Sequence, residues 1–223
     1  MSDVTPSGAP LYGTVQIVDN VPLAFARLVS QASPRSVALS GGETAQDCYA
    51  AVRTTGPDWS NVDVYFGDER FVAADDPDSN EGMARRVLLD AVWPRAIHSM
   101  YQPVPIEEAA RRYDNLIRAA PPIELVHLGL GPDGHTASLF PGSPTLDETD
   151  RLVVPAGDAA HPHPRLTFTF PAITRARLVV VTVVGAEKRD AISRIRAGED
   201  LPGSRIRGER VLWLGDGAAL GAQ

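Results

Sequence analysis

The residues best suited to chemistry lie between Ile123 and Gly142, in IELVHLGLGPDGHTASLFPG. The stretch opens with an apolar run, Leu125-Val126-His127-Leu128, in the manner of a buried strand. It breaks at Gly129, Gly131, Pro132 and Gly134, and into that break it puts Asp133 and His135. Glycines let a backbone turn sharply and approach a ligand closely. Histidine, with an ordinary pKa near ~6.5, takes up and returns protons near neutral pH. The chain resumes from His135 to Phe140, read as a candidate helix start, and stops at Pro141-Gly142. Open α/β proteins place ligands where a strand ends in such a turn before a helix N-terminus.

Three other junctions share this form. Val37-Ala38-Leu39 runs into Ser40-Gly41-Gly42-Glu43-Thr44 before a helical stretch. Exposed glycine N–H groups and two hydroxyls at a helix N-terminus suit a phosphate; the same residues also suit an ordinary helix start with Ser40 or Thr44 as its cap. Asn61–Phe66 is a strand ending in Gly67-Asp68-Glu69-Arg70, either a solvated loop or an Arg fork placed at a ligand crevice. Arg177–Val184, with its β-branched run, ends at Gly185, and Lys188 follows in the first turn of a helix. A cation there opposes the helix dipole, and a bound anion would offset that.

These junctions need elements to hold them. The spacing predicts a strand at Thr14–Val18, helices at Val21–Gln31, Met83–Val92 and Glu107–Ile117, strands at Leu166–Phe170 and Arg210–Leu214, and a turn-and-cap cluster at Asp75–Asn80. Strands alternating with helices predict an α/β fold: a mainly parallel sheet with helices on both faces, Rossmann-like, with a smaller appended C-terminal part. Residues 1–223 are read as a single domain, since no composition shift or repeat divides them. Met1–Pro10 reads as a frayed polar start with neither the basic segment nor the apolar core of a secretory signal.

Composition narrows the function. The 223 residues are 43% hydrophobic and 22% charged, a globular balance. The net charge of -7 argues against nucleic-acid or anionic-membrane partners. No apolar stretch is long enough to span a bilayer. Cys48 is the single cysteine, so neither an intrachain disulfide nor a Cys zinc cluster is possible, consistent with a cytoplasmic setting. His161 and His163 sit in the Pro-rich segment Pro155–Arg165, read as a surface loop, without a recognisable metal spacing. No exposed apolar helix face is evident, so a monomer is expected.

Taken in order, these stretches resemble the 6-phosphogluconolactonase family. The most specific is GLGPDGHTASLFPG, Gly129–Gly142. It is joined by LSGGET at Leu39–Thr44, GDER at Gly67–Arg70, SN at Ser79-Asn80, RLT at Arg165–Thr167, GAEK at Gly185–Lys188, LPGSRI at Leu201–Ile206, and the Asp216–Ala218 segment. The resemblance runs from about Ala38 to Ala219. Two positions depart from the family pattern: Ala45 stands where Pro is frequent, and Ile123-Glu124 where Phe-Asp is frequent.

The resemblance implies hydrolysis of a small sugar-phosphate lactone, 6-phospho-D-glucono-1,5-lactone, without metal or organic cofactor. It implies His135 as general base, with Asp133 or Asp68 orienting it or a water. It implies a phosphate held by Arg165 and Lys188, with Arg70 and the loop of Ser40, Gly41, Gly42 and Thr44 near the ligand. Backbone N–H groups of Gly41-Gly42 or of Gly131–His135 would serve the oxyanion. Ser138 and Thr136 are read as capping or packing residues, since neither Ser40 nor Ser138 sits in a Gly-x-Ser-x-Gly elbow. Glucosamine-6-phosphate deaminases share the SGG and GxDGH turns but carry a Glu soon after the His; here Ser138-Leu139-Phe140 stands in its place. A sugar-phosphate sensor on the same fold is the other alternative.

Overall fold

The structure is a computed structural model that describes residues 11–157 and 162–221. The first half of the chain contributes β1 (Thr14–Ile17), α1 (Val21–Ala32), β2 (Ser36–Leu39), α2 (Glu43–Thr54), β3 (Asp63–Phe66) and β4 (Asp68–Arg70). Then come α3 (Asn80–Ala84), a π-helical turn at Arg85–Leu89, α4 (Asp90–Val92), β5 (Ala96–Ile97) and α5 (Ile106–Ala119). The second half contributes β6 (Leu125–Gly129), β7 (Val153–Ala156), β8 (Arg165–Phe168), α6 (Phe170–Thr174), β9 (Val179–Val183), α7 (Arg189–Arg196), β10 (Val211–Gly215) and α8 (Gly217–Leu220). No helix of the described residues is long and apolar enough to cross a membrane.

Seven strands form a parallel sheet in the order β1-β10-β9-β6-β2-β3-β5. Every residue of β9 is buried, and so are the first four of β6. Strands buried on both faces are the mark of a sheet covered by helices on both sides, and they read as continuous apolar runs. The α/β expectation holds. The topology also fixes where a ligand can sit. From β2 the chain moves outward through β3 to β5, then returns to the other side of β2 with β6. Between β2 and β6 the direction of winding reverses, and the crevice beyond the strand ends at such a reversal is the expected ligand position.

A smaller part exists, but it is not C-terminal. It is an antiparallel sheet in the order β4-β8-β7, built from the middle of the chain, while C-terminal β10 lies inside the main sheet between β1 and β9. The small sheet grows out of the end of β3: Phe168 N–H donates to Gly67 O at 2.7 Å. GDER is therefore a strand rather than a loop. Its pairing with β8 sets Arg70 directly across from Arg165. The β8 strand stops at Phe168, two residues earlier than predicted, because Phe170 opens α6.

The predicted helix start after Gly134 does not form. His135–Phe140 is a tight turn closed by a bridge between Thr136 and Leu139, with Ala137 at φ 49°. Thr136 Oγ1 donates to Gly129 O, and Ser138 Oγ to Asp68 Oδ2. These side-chain bonds compete with a helical ladder. The helix predicted from Met83 to Val92 is present, capped by Ser79 and stopped at Trp93, which takes the left-handed conformation at φ 48°. Met1–Pro10 and His161 lie outside the described residues.

The centre of the sheet carries the stability. Leu128, on β6 directly before the Gly129 turn, is 0% exposed. Leu128→Ala should lower the unfolding free energy by about 2–5 kcal/mol. Urea titration at unchanged slope would show this as a lower midpoint, and an unchanged midpoint would contradict the packing described.

Candidate active site

A cleft of ≈ 300 Å³ lies beyond the C-terminal ends of β2, β6 and β9. It is lined by Ser40–Ala45 after β2, by Gly129–Pro132 and His135 after β6, by Glu187 and Lys188 after β9, and by Asp68, Arg70, Asn80 and Arg165 from the small sheet and α3. Of the catalytic and phosphate-binding candidates His135, Asp133, Asp68, Ser40, Gly41, Gly42, Thr44, Arg70, Arg165 and Lys188, all but Asp133 line it. Asp133 stands behind the His135 ring.

The turn after β6 is held by its own backbone. Gly131 N–H donates to His135 O at 2.8 Å, and Gly134 N–H to Gly131 O at 3.0 Å. Asp133 Oδ1 accepts from the His135 N–H at 3.1 Å and lies 2.6 Å from His135 Nδ1. A Cβ at position 131 would sit 2.1 Å from that same Nδ1, so only glycine admits the ring here. Burial pushes the Asp133 carboxyl up, but the His135 backbone N–H, the imidazole charge and the ring hydrogen bond hold it below the ordinary carboxylate value. A carboxylate can only accept, so Nδ1 carries the proton, and in the neutral ring Nε2 is left as a lone pair. Nε2 has no hydrogen-bond partner among the described residues, and the ring packs 4.9 Å from Phe140.

Asp68 does a different job. Its carboxylate accepts from Ser138 Oγ at 2.8 Å and its backbone O from Asn80 Nδ2 at 2.9 Å. No hydrogen bond joins it to His135 among the described residues. Asn80, quoted in the sequence only as part of SN, is a junction: its Oδ1 also accepts from Arg70 Nη1, and a Cβ at Gly41 would meet it at 1.9 Å. The sequence showed it as a cap residue after Ser79, with no sign of these contacts.

The cations converge although the chain is acidic. Arg70 and Arg165 are cross-strand neighbours. Like charges so placed repel, and an anion between them would remove the repulsion. Arg165 also lies over the Phe140 ring, 5.7 Å from its centroid. Lys188 closes the 3-10 turn Ala186–Lys188, is half-buried, and makes no ion pair among the described residues. The twelve-residue helix α2 points its N-terminus at the same space with Gly42 at the cap position and no side-chain cap. Neither Ser40 nor Thr44 caps it, so the phosphate-type reading of this loop keeps its donors available. His163 Nε2 bonds Asp78 Oδ2 at 2.9 Å, an outer contact away from the cleft. No group of three or more candidate metal ligands occurs among the described residues.

Known proteins match both sequence and fold. The sequence model of the family described as Glucosamine-6-phosphate isomerases/6-phosphogluconolactonase matches residues 15–213. The chain belongs to this family. A 6-phosphogluconolactonase from Synechocystis is 41% identical over 187 residues, covering 79% of this chain and 77% of its own. One from Caulobacter vibrioides is 44% identical over 161 residues, covering 68% and 69%. The crystal structure of the 6-phosphogluconolactonase from Thermotoga maritima superposes with TM-score 0.81 at 26% identity, over 91% of this chain and 99% of that one. That of Trypanosoma brucei gives 0.79 at 28% identity, over 94% and 98%. A glucosamine-6-phosphate deaminase superposes at 0.78 with 19% identity, which shows the fold alone. The cleft of this chain brings His135, Arg70, Arg165 and Lys188 together.

One buried carboxylate braces the cleft from outside. Glu69, 2% exposed, accepts from the N–H groups of Arg70, Asn80 and Glu81 and from Ser79 Oγ, at 2.7–3.0 Å. Burial pushes its carboxyl up to about 7, against the pull of these donors. Between 4.5 and about 7 the folded state therefore holds a proton on Glu69 that the unfolded state has released, and the Glu69 contribution to stability falls as pH rises through that window. Urea unfolding across it should show stability rising more with pH in Glu69→Gln than in wild type, because the substitution removes this falling contribution and leaves the opposing one of buried His127, whose pKa burial pushes down to about 3. Equal slopes would remove Glu69 as the cause.

Proposed function

We propose that the protein hydrolyses 6-phospho-D-glucono-1,5-lactone to 6-phospho-D-gluconate, a step of the oxidative pentose phosphate pathway, as a cytoplasmic monomer. The observation that carries the proposal is the pairing of Asp133 with His135, whose ring lines a cleft walled by three cations. A δ-lactone is an activated ester, so the reaction asks for placement, a base and an oxyanion site. Nε2 of His135 takes a proton from water as the water oxygen attacks C1. The carbonyl electrons move onto oxygen. On collapse the bond from C1 to the ring oxygen breaks, and Nε2 returns its proton to that oxygen as it leaves. Asp133 keeps Nδ1 protonated and stabilises the imidazolium formed between the two transfers.

The oxyanion donors follow by elimination. Within the Gly131–His135 turn, the N–H groups of Gly131, Gly134 and His135 are already engaged, Pro132 has none, and that of Asp133 turns to its own carboxylate. Those of Gly41 and Gly42 have no acceptor among the described residues. They are the donors we assign to the oxyanion. The phosphate goes to Arg70, Arg165 and Lys188, where charge-assisted bonds to an anion are strongest.

The test couples glucose-6-phosphate dehydrogenase, which makes the lactone, to 6-phosphogluconate dehydrogenase, which reports its hydrolysis, in chelating buffer. The protein should accelerate hydrolysis above the spontaneous rate. His135→Ala should lose roughly 10²–10⁴-fold in turnover, and Gly131→Ala about 10²-fold by displacing the ring. Lys188→Ala should mainly raise KM, since a phosphate contact persists from ground state to transition state. No acceleration by folded protein would overturn the proposal, and an unchanged KM would remove Lys188 from the phosphate site.

A further inference from the structure

Beneath the cleft a chain of hydrogen bonds crosses from α2 to β6 to β9. Ser40 N–H donates to Tyr49 Oη at 2.7 Å. Tyr49 Oη lies 2.8 Å from His127 Nδ1, and His127 Nε2 lies 2.9 Å from Thr182 Oγ1. Ser40 is 5% exposed, Tyr49 and His127 0%, and Thr182 3%. The His127 ring is covered by Phe25 at 4.3 Å between centroids and met edge-on by Tyr49. Burial pushes His127 down to about 3 and Tyr49 well above its ordinary value, so both are neutral near pH 7.

The proton directions follow from the acceptors. Tyr49 Oη has one proton and already accepts from Ser40 N–H. Two acceptors are within reach, His127 Nδ1 at 2.8 Å and Ser40 O at 3.2 Å. Assigning the proton to the shorter contact makes Nδ1 an acceptor. A neutral imidazole that accepts at Nδ1 carries its proton on Nε2. Nε2–H then donates to Thr182 Oγ1. The hydroxyl proton of Thr182 is left with no acceptor among the described residues, since its bond to His127 is already accounted for. Thr182 lines the cleft. A buried hydroxyl whose proton meets no acceptor is costly unless a ligand supplies one.

We propose that Thr182 Oγ–H donates a hydrogen bond to an oxygen of the ligand in the cleft, and that His127 and Tyr49 are positioning residues that fix its direction. The inference rests on the lactone reading, in which the ligand is a polyhydroxylated sugar phosphate rich in acceptor oxygens. It adds a contact from β9 to those offered by the α2 N-terminus. The same relay holds the Ser40 backbone, so one buried chain sets both walls.

The test compares Thr182→Val, Thr182→Ser, His127→Leu and the Val/Leu double variant, by KM and kcat for lactone hydrolysis and by calorimetric Kd for 6-phosphogluconate. Thr182→Val is nearly isosteric and removes only the hydroxyl; it should raise KM and Kd about 3- to 10-fold, with a smaller effect on kcat. Thr182→Ser, which keeps the hydroxyl, should restore most of the affinity. His127→Leu should raise KM similarly and add nothing further in the Thr182→Val background. A purely structural relay would lower Tm in the Val and Leu proteins and leave KM unchanged, and that result overturns the inference. If His127→Leu does not fold, the Val and Ser pair decides alone. Wild-type turnover with equal KM in Val and Ser proteins overturns this inference only. A wild type that neither hydrolyses the lactone nor binds 6-phosphogluconate overturns the lactone reading and this inference with it.

Discussion

The contact between Asp133 Oδ1 and His135 Nδ1 is the interaction on which the rest of the site depends. It fixes which imidazole nitrogen is basic, and it holds the ring against a turn that admits no side chain at Gly131. Without it either tautomer is available and the basic nitrogen is no longer fixed. The turn itself needs the end of β6, and β6 needs the buried sheet on either side of it. The placement of this His is therefore a property of the sheet's centre expressed at its edge.

The same edge gathers charges that the fold would otherwise keep apart. The cross-strand pair Arg70 and Arg165 gains nothing from its own proximity. Glu69 binds the backbone on which Arg70 and Asn80 stand, and Asn80 joins the small sheet to the Gly41 loop. Under the cleft, the Tyr49–His127–Thr182 chain ties the α2 side to the β9 side. These are costs and constraints that a fold alone does not require. They make sense when a phosphorylated ligand occupies the space between them.

Much of this was legible in the sequence, and the exceptions have physical causes. The strands β2, β3, β6, β9 and β10 are apolar runs closed by glycine, and a parallel sheet brings such ends together. The β4 strand was not legible, because Asp-Glu-Arg has no apolar alternation; it is a strand only because β8 pairs with it. The helix expected after Gly134 failed because Thr136 and Ser138 spend their hydroxyls on Gly129 and Asp68. Asp133 and Asp68 could not be separated by spacing. In the structure Asp133 Oδ1 lies 2.6 Å from His135 Nδ1, while Asp68 accepts from Ser138, seventy positions away. His127 looked like one polar residue in an apolar run, since its partners lie 78 and 55 positions away.

The most direct test of the tautomer is nitrogen-15 NMR of the imidazoles in the folded protein at mildly alkaline pH, with Asp133→Asn as the comparison. Asp133 acting as described predicts that His135 carries its proton on Nδ1 in wild type, with Nε2 unprotonated, and that Asp133→Asn loses this preference together with turnover. A His135 protonated on Nε2 in wild type, in a protein that still hydrolyses the lactone, would contradict it.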